Sequence, residues 1–172
     1  MTTTVRFQNQ DIPLLGTPPN VGEQIPALRL SINPGEILEL SFPREKPLIL
    51  TTAPSVDTPV CANQLRLFDE KLQAAGGDIE IFFVTRDLPF ALNRFVEEQG
   101  LQQVVTLSDF KERELGAHLG LEIPSMGLLA RTVFVIDTDG TVIYREIVPE
   151  ISALPDLDAA WNAATSRATV AS

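Results

Sequence analysis

Pro47-Leu48-Ile49-Leu50-Thr51-Thr52-Ala53-Pro54-Ser55-Val56-Asp57-Thr58-Pro59-Val60-Cys61 reads as a buried strand running straight into a helix. Pro47 to Thr52 is short, apolar and bounded by proline, as a covered strand should be. Thr58 stands where an N-cap is wanted, and Pro59 suits the first helical position. Cys61, the sole cysteine, then falls third in the first turn. A thiol there faces free backbone N–H groups and the positive end of the helix dipole, both of which favour the thiolate.

Outward from this stretch the chain reads as strand and helix in alternation. Leu65, Phe68, Leu72 and Ala75 recur at helical spacing after Cys61, and Gly76-Gly77 stops the helix. Ile79 to Val84 is β-prone and apolar on both faces, so strand, helix, strand implies a parallel crossover. Asp87, read as an N-cap, opens a helix to about Gln99 with Phe90, Leu92, Phe95 and Val96 as its apolar set and Gly100 as its stop. Val104 to Leu107 is a strand, Lys111 to Leu119 a helical stretch, and Leu121 to Gly127 a loop. Arg131 to Ile136 and Thr141 to Arg145 flank Asp137-Thr138-Asp139-Gly140 as an antiparallel hairpin. Leu157, Ala160 and Trp161 give a last helix one apolar side, with Trp161 as a core anchor and Thr165 to Ser172 as a frayed tail.

The first part, about residues 1–45, alternates short strands with Pro, Gly and Asn turns. Val5 to Gln8, Ala27 to Leu30 and Ile37 to Leu40 are its strand candidates, with a turn at Asn33-Pro34-Gly35-Glu36. The pattern predicts an α/β chain, a thioredoxin-like fold with an N-terminal β-hairpin extension, in one domain over 1–172.

Composition narrows the function. With 172 residues, 44% of them hydrophobic, the chain can bury a sizeable core. A net charge of −10 argues against nucleic acid and anionic membranes, whose phosphates need a basic surface. No apolar run approaches the roughly eighteen residues of a membrane span, and the N-terminus lacks a signal pattern. One cysteine and one histidine cannot form an internal disulfide or the usual Cys/His metal set, so neither metal nor cofactor is expected. The lack of disulfides fits a reducing compartment, the cytoplasm. His118 reads as an ordinary helix histidine, since no serine sits in a nucleophile elbow.

Cys61 has two readings: a small buried hydrophobe, or a thiol exposed and activated at the strand-to-helix turn. Arg131 opens a strand that could run beside the cysteine-bearing one and hold both thiolate and leaving oxygen; otherwise it is a solvated surface charge. Thr58 puts a hydroxyl within one turn of the sulfur, and Pro54 can shield the site.

Pro54 to Cys61 resembles the Pro-x-x-x-Thr-x-x-Cys signature of the peroxiredoxins. Asp87-Leu88-Pro89-Phe90-Ala91, Asn93-Arg94-Phe95, Val105-Thr106-Leu107-Ser108 and Gly127-Leu128-Leu129-Ala130-Arg131 are similar to the thiol peroxidase subfamily, and the likeness runs from Val5 to Ala163. It implies a homodimeric thioredoxin-fold enzyme that reduces hydroperoxides, with Cys61 as peroxidatic cysteine, Thr58 its hydroxyl partner, Pro54 the shield and Arg131 the activating arginine. Members of that subfamily carry a resolving cysteine directly after the Arg-Phe pair; here that position is Val96. A sulfenic acid on Cys61 would therefore be regenerated by an external thiol, either a thioredoxin-type protein or a low-molecular-weight thiol. The alternative is a non-catalytic peroxide sensor or a thioredoxin-like interaction module. Leu121 to Leu129, with Met126, would border either an alkyl hydroperoxide pocket or a dimer interface.

Overall fold

The computed structural model describes residues 2–171. In chain order the elements are β1 (Thr4–Phe7), β2 (Gln10–Pro13), β3 (Leu28–Asn33), β4 (Glu36–Leu40), β5 (Leu48–Thr52), α1 (Pro59–Ala75), β6 (Glu80–Thr85), α2 (Pro89–Gln99), β7 (Val105–Ser108), α3 (Glu114–His118), β8 (Glu122–Ile123), β9 (Leu128–Leu129), β10 (Thr132–Ile136), β11 (Val142–Ile147) and α4 (Leu157–Ala171). A seven-stranded sheet in the order β11-β10-β5-β6-β7-β3-β4 carries them. Its centre, β5-β6-β7, is parallel, while β10 runs antiparallel to both β5 and β11. That is the expected thioredoxin-like arrangement, and β1-β2 is its N-terminal hairpin. The β3-β4 hairpin is more than an extension, because β3 pairs with β7 at Ser31 and Ser108 and completes the sheet edge.

Period-two alternation along strands that are apolar on both sides builds two cores. Leu48, Leu50, Phe82, Val84, Phe134 and Ile136 face one side, where α3 contributes Leu115. Ile49, Ile81, Phe83, Val133 and Val135 face the other, with Leu65, Phe68 and Leu72 of α1 and Ala160 and Ala164 of α4. Trp161 packs half-buried against this second core. Phe68 is fully enclosed there, so truncating it to alanine would cost about 3–5 kcal/mol. The face of α1 that follows Cys61 is thus committed to the sheet, which fixes where the first turn of the helix sits.

Several elements differ from the sequence reading. Helix α3 covers only Glu114–His118, and the segment read as a loop contains the short β8-β9 hairpin. Phe90, assigned to the apolar side of α2, is 67% exposed, since Leu92 with half-buried Phe95 suffices to seat that helix. The frayed tail expected from Thr165 is instead part of α4, where the Thr165 hydroxyl donates to the Trp161 carbonyl at 3.0 Å; Ser172 lies outside the described residues.

A buried ionic cluster pins α3 and β8 to the parallel strands. Arg86, just past β6, donates to Asp109 Oδ2 (3.3 Å), Glu122 Oε2 (3.1 Å) and the Gly127 carbonyl (3.3 Å). Asp109 also accepts the Leu115 and Gly116 N–H groups, and a Cβ at Gly116 would run into Arg86. Burial pushes the Asp109 carboxyl up despite these bonds, whereas the bond from Arg86 holds Glu122 down. The two carboxyls therefore act oppositely in acid. A depressed Glu122 binds fewer protons folded than unfolded, so its contribution is complete at neutral pH and fades as pH falls through the acid range. Glu122→Gln should lose about 1–2 kcal/mol near neutrality. The gap to the parent should close in urea melts taken at progressively lower pH, and a gap independent of pH would contradict this assignment.

Candidate active site

The loop joining β5 to α1 is tied down residue by residue. Thr58 is the N-cap, extended at φ −97° and ψ 143°, and its Oγ accepts the Cys61 N–H at 3.3 Å. The same hydroxyl donates to the Ser55 carbonyl (3.1 Å), which also takes the Thr58 N–H (3.2 Å). Pro59 has no N–H and that of Cys61 is engaged, which leaves the Val60 N–H without a partner among the described residues. Cap, proline and cysteine thus stand as the sequence predicts.

Of the two readings of Cys61, the structure has the buried one. Cys61 is 0% exposed and belongs to the second core with Ala53, Val56 and Leu65. The exposed alternative fails because Ala53 and Val56 of the preceding loop are buried in the same cluster as Cys61. Pro54, between Ala53 and Val56, is buried as well.

Arg131 is the largest fully buried side chain, 2% exposed as a residue, so its reading as a surface charge is wrong. Because β10 runs antiparallel to β5, with Thr132 opposite Thr52, the residue preceding β10 arrives at the end of β5 that feeds α1. Its Nε and Nη2 donate to the Ile151 carbonyl (2.9 and 2.7 Å), and Nη1 donates to Gln64 Oε1 (2.8 Å). Every one of these acceptors is neutral. Among the described residues no carboxylate lies within ion-pair distance of Arg131. A guanidinium has five N–H donors, so two remain, together with a full buried charge.

Gln64 was not anticipated. It follows Cys61 by three positions, hence on the same face of α1, and its side chain is fully buried. Its Nε2 donates to Thr51 Oγ (2.6 Å) and to the Thr52 carbonyl (3.3 Å), which turns Oε1 toward Arg131. Thr51 passes its proton to the Thr132 carbonyl, and Thr52 donates to that of Ala130. An amide in an otherwise apolar helix stripe was the available signal.

Asp87 was misassigned. The N-cap of α2 is Leu88, without a side-chain cap bond, while Gly100 ends the helix at φ 66° as expected. The Asp87 carboxylate turns back to Ser55 and Val56 because their O–H and N–H point at it. Val96 is half-buried on α2 and His118 is exposed on α3.

Known proteins resemble this chain over most of its length. The Redoxin family model matches residues 20–161. A thiol peroxidase of Staphylococcus epidermidis is 37% identical over 94% of this chain and 97% of its own. One from Mycobacterium tuberculosis is 38% identical over 92% and 96%. A peroxiredoxin-like protein from Aquifex aeolicus superposes with a TM-score of 0.88 at 32% identity, covering 95% of this chain and 96% of that one. A thiol peroxidase from Chromobacterium violaceum, 23% identical with a TM-score of 0.82 over 95% of each chain, shares the fold.

Gln64→Leu removes the one side-chain acceptor of Arg131 and the amide that holds Thr51. It should destabilise the fold by about 2–3 kcal/mol, the cost of leaving a charged donor buried and unpaired. Urea denaturation measures this, and a loss under about 0.5 kcal/mol would show that Gln64 does not hold the guanidinium.

Proposed function

Because the chain belongs to the redoxin family, in its thiol peroxidase branch, we propose that its thiol-dependent reduction of peroxides runs on one sulfur, Cys61, with Arg131, Thr58 and Pro54 around it. The observation that carries this assignment is the buried guanidinium of Arg131 with only neutral partners, tied through Gln64 to the helix turn that bears Cys61. A buried cation is stabilised by an anion nearby, and the Cys61 thiolate is the anion this site can form.

The thiolate attacks the terminal oxygen of the hydroperoxide. An S–O bond forms, the O–O bond breaks, and the leaving alkoxide takes a proton to depart as an alcohol, or as water from hydrogen peroxide. Cys61 is left as a sulfenic acid. Thr58 spends its proton on the Ser55 carbonyl, so its oxygen faces the substrate as an acceptor for the peroxide O–H. The remaining Arg131 donors and the Val60 N–H offer binding for the charge that grows on the leaving oxygen.

With a single cysteine in the chain, no internal disulfide can form. A first external thiol condenses with the sulfenic acid, releasing water and forming a mixed disulfide; a second displaces Cys61 as the thiol and leaves as a disulfide. A low-molecular-weight thiol or a thioredoxin-type protein fits this role, and a thiol-fed cycle belongs in the cytoplasm. Alkyl and lipid hydroperoxides suit the apolar neighbours of Cys61, Ala53, Val56 and Leu65, better than hydrogen peroxide does. Exposed Leu88 and Phe90, close to the Asp87 anchor, are the apolar area that a second copy would cover in a homodimer.

Mixing reduced protein with cumene hydroperoxide should add one oxygen to Cys61 within seconds, followed by mass spectrometry. Supplying a thioredoxin system or glutathione should then give many turnovers. If Cys61→Ser consumes peroxide as fast as the parent, the assignment fails; a single event ending in a partner disulfide would make the protein a sensor.

A further inference from the structure

The side chain of Asp87 stands between two parts of the molecule, one rigid and one that has to admit substrate. On the rigid side, its carboxylate Oδ2 accepts the Thr85 hydroxyl at 2.7 Å, its N–H donates to Thr85 Oγ at 3.0 Å, and its carbonyl accepts the Ser108 hydroxyl. Thr85 ends β6 and Ser108 ends β7, and both are buried. The Asp87 backbone is thereby fixed to the carboxyl ends of two parallel strands.

On the other side the carboxylate grips the loop that covers Cys61. Oδ1 accepts the Ser55 hydroxyl (2.7 Å) and Oδ2 the Val56 N–H (2.8 Å), across 31 residues of chain in the second case. Ser55 in turn supplies the carbonyl that takes both the N–H and the O–H of Thr58, and Thr58 caps the Cys61 N–H. Charge-assisted bonds of this kind are about twice as strong as neutral ones. An unbroken series of hydrogen bonds therefore runs from the ends of β6 and β7 through Asp87, Ser55 and Thr58 to the backbone of Cys61.

We infer that Asp87 is a positioning residue of the peroxidase site: its carboxylate holds the covering loop closed and the Thr58 hydroxyl turned, so that Cys61 meets a hydroperoxide in reactive geometry. The inference rests on the assignment of Cys61 as the reacting sulfur. Its consequence is specific. Releasing the loop uncovers the sulfur to any reagent while spoiling the arrangement that peroxide reduction needs, so two reactions of one thiol move in opposite directions.

The test compares parent, Asp87→Ala, Asp87→Asn, Ser55→Ala and the Asp87→Ala/Ser55→Ala double variant, each as the reduced full chain. Oxidation of Cys61 by cumene hydroperoxide in rapid mixing should slow by about 10- to 100-fold in Asp87→Ala, the scale of a misplaced reacting group. Alkylation of Cys61 by iodoacetamide should speed up in the same variant. The Asn variant, which can still accept the Val56 and Thr85 donors, should recover most of the oxidation rate. The double variant should be little slower than Asp87→Ala alone, because residues acting in series are not additive. Amide exchange should rise at Val56 and Cys61 and stay unchanged at Phe83.

Oxidation by Asp87→Ala within about two-fold of the parent, oxidation and alkylation slowing together, or effects of the two single variants that multiply would each overturn the inference. If Asp87→Ala does not fold, Ser55→Ala decides by the same opposed movement. Failure of the parent to react with peroxide would remove the assignment of Cys61. The exchange and alkylation measurements would still report whether Asp87 holds the loop.

Discussion

A guanidinium taken out of water must be repaid in hydrogen bonds and charge, and around Arg131 the two are supplied from different places. The Ile151 carbonyl and the Gln64 amide provide the hydrogen bonds. Neither provides negative charge. Much of the neighbouring polar architecture follows from that arrangement: Gln64 is oriented by Thr51 and Thr52, and those threonines are braced on Ala130 and Thr132. The Gln64 amide is bonded through both its nitrogen and its oxygen and so has one geometry, while two Arg131 N–H groups keep no acceptor among the described residues. The arrangement leaves a positive charge buried at the end of β5 that leads into α1.

The topology brings the parts together with little freedom. β5 ends at Thr52 and its loop leads to the first turn of α1. On one side the parallel neighbour β6 ends at the same level, with Thr52 level with Val84, so the turn after it delivers Asp87. On the other side β10 begins at that level because it runs the opposite way, and the residue before it is Arg131. One end of three adjacent strands thus gathers the loop that leads to Cys61, an anion that fastens that loop and a buried cation bonded to Gln64 of the same helix. Ligand chemistry at the carboxyl ends of parallel strands is the common pattern of open α/β sheets.

The parts of this site that obey local rules were legible in the sequence. Thr58, Pro59 and Cys61 form a cap, a first-turn proline and a third helical position, all determined by neighbours within four residues. The Asp137 to Gly140 turn and the strands around it are local in the same sense. What escaped was set by distant partners. Asp87 has the residue type and position of an N-cap, yet two donors 31 and 32 residues earlier in the chain outcompete the helix end for its carboxylate. Gln64 stands in the apolar stripe of α1, but its partner, Arg131, comes from 67 residues further along the chain. Phe90 has the spacing of a core residue, but no element lies over it. The choice between a buried and an exposed Cys61 was open for a similar reason, since the loop before it is bonded to Asp87, about thirty residues on.

The central claim is that Arg131 acts through its buried charge. Arg131→Met tests it most directly, since methionine fills much of the same volume without the charge. The second-order rate constant for oxidation of Cys61 by cumene hydroperoxide should fall by about 100-fold or more, the scale of losing an aimed electrostatic donor. Stability in urea should fall by about 1–3 kcal/mol, since Gln64 Oε1 and the Ile151 carbonyl lose their buried donor. A variant that keeps its oxidation rate within about three-fold of the parent, whatever its stability, would contradict the account.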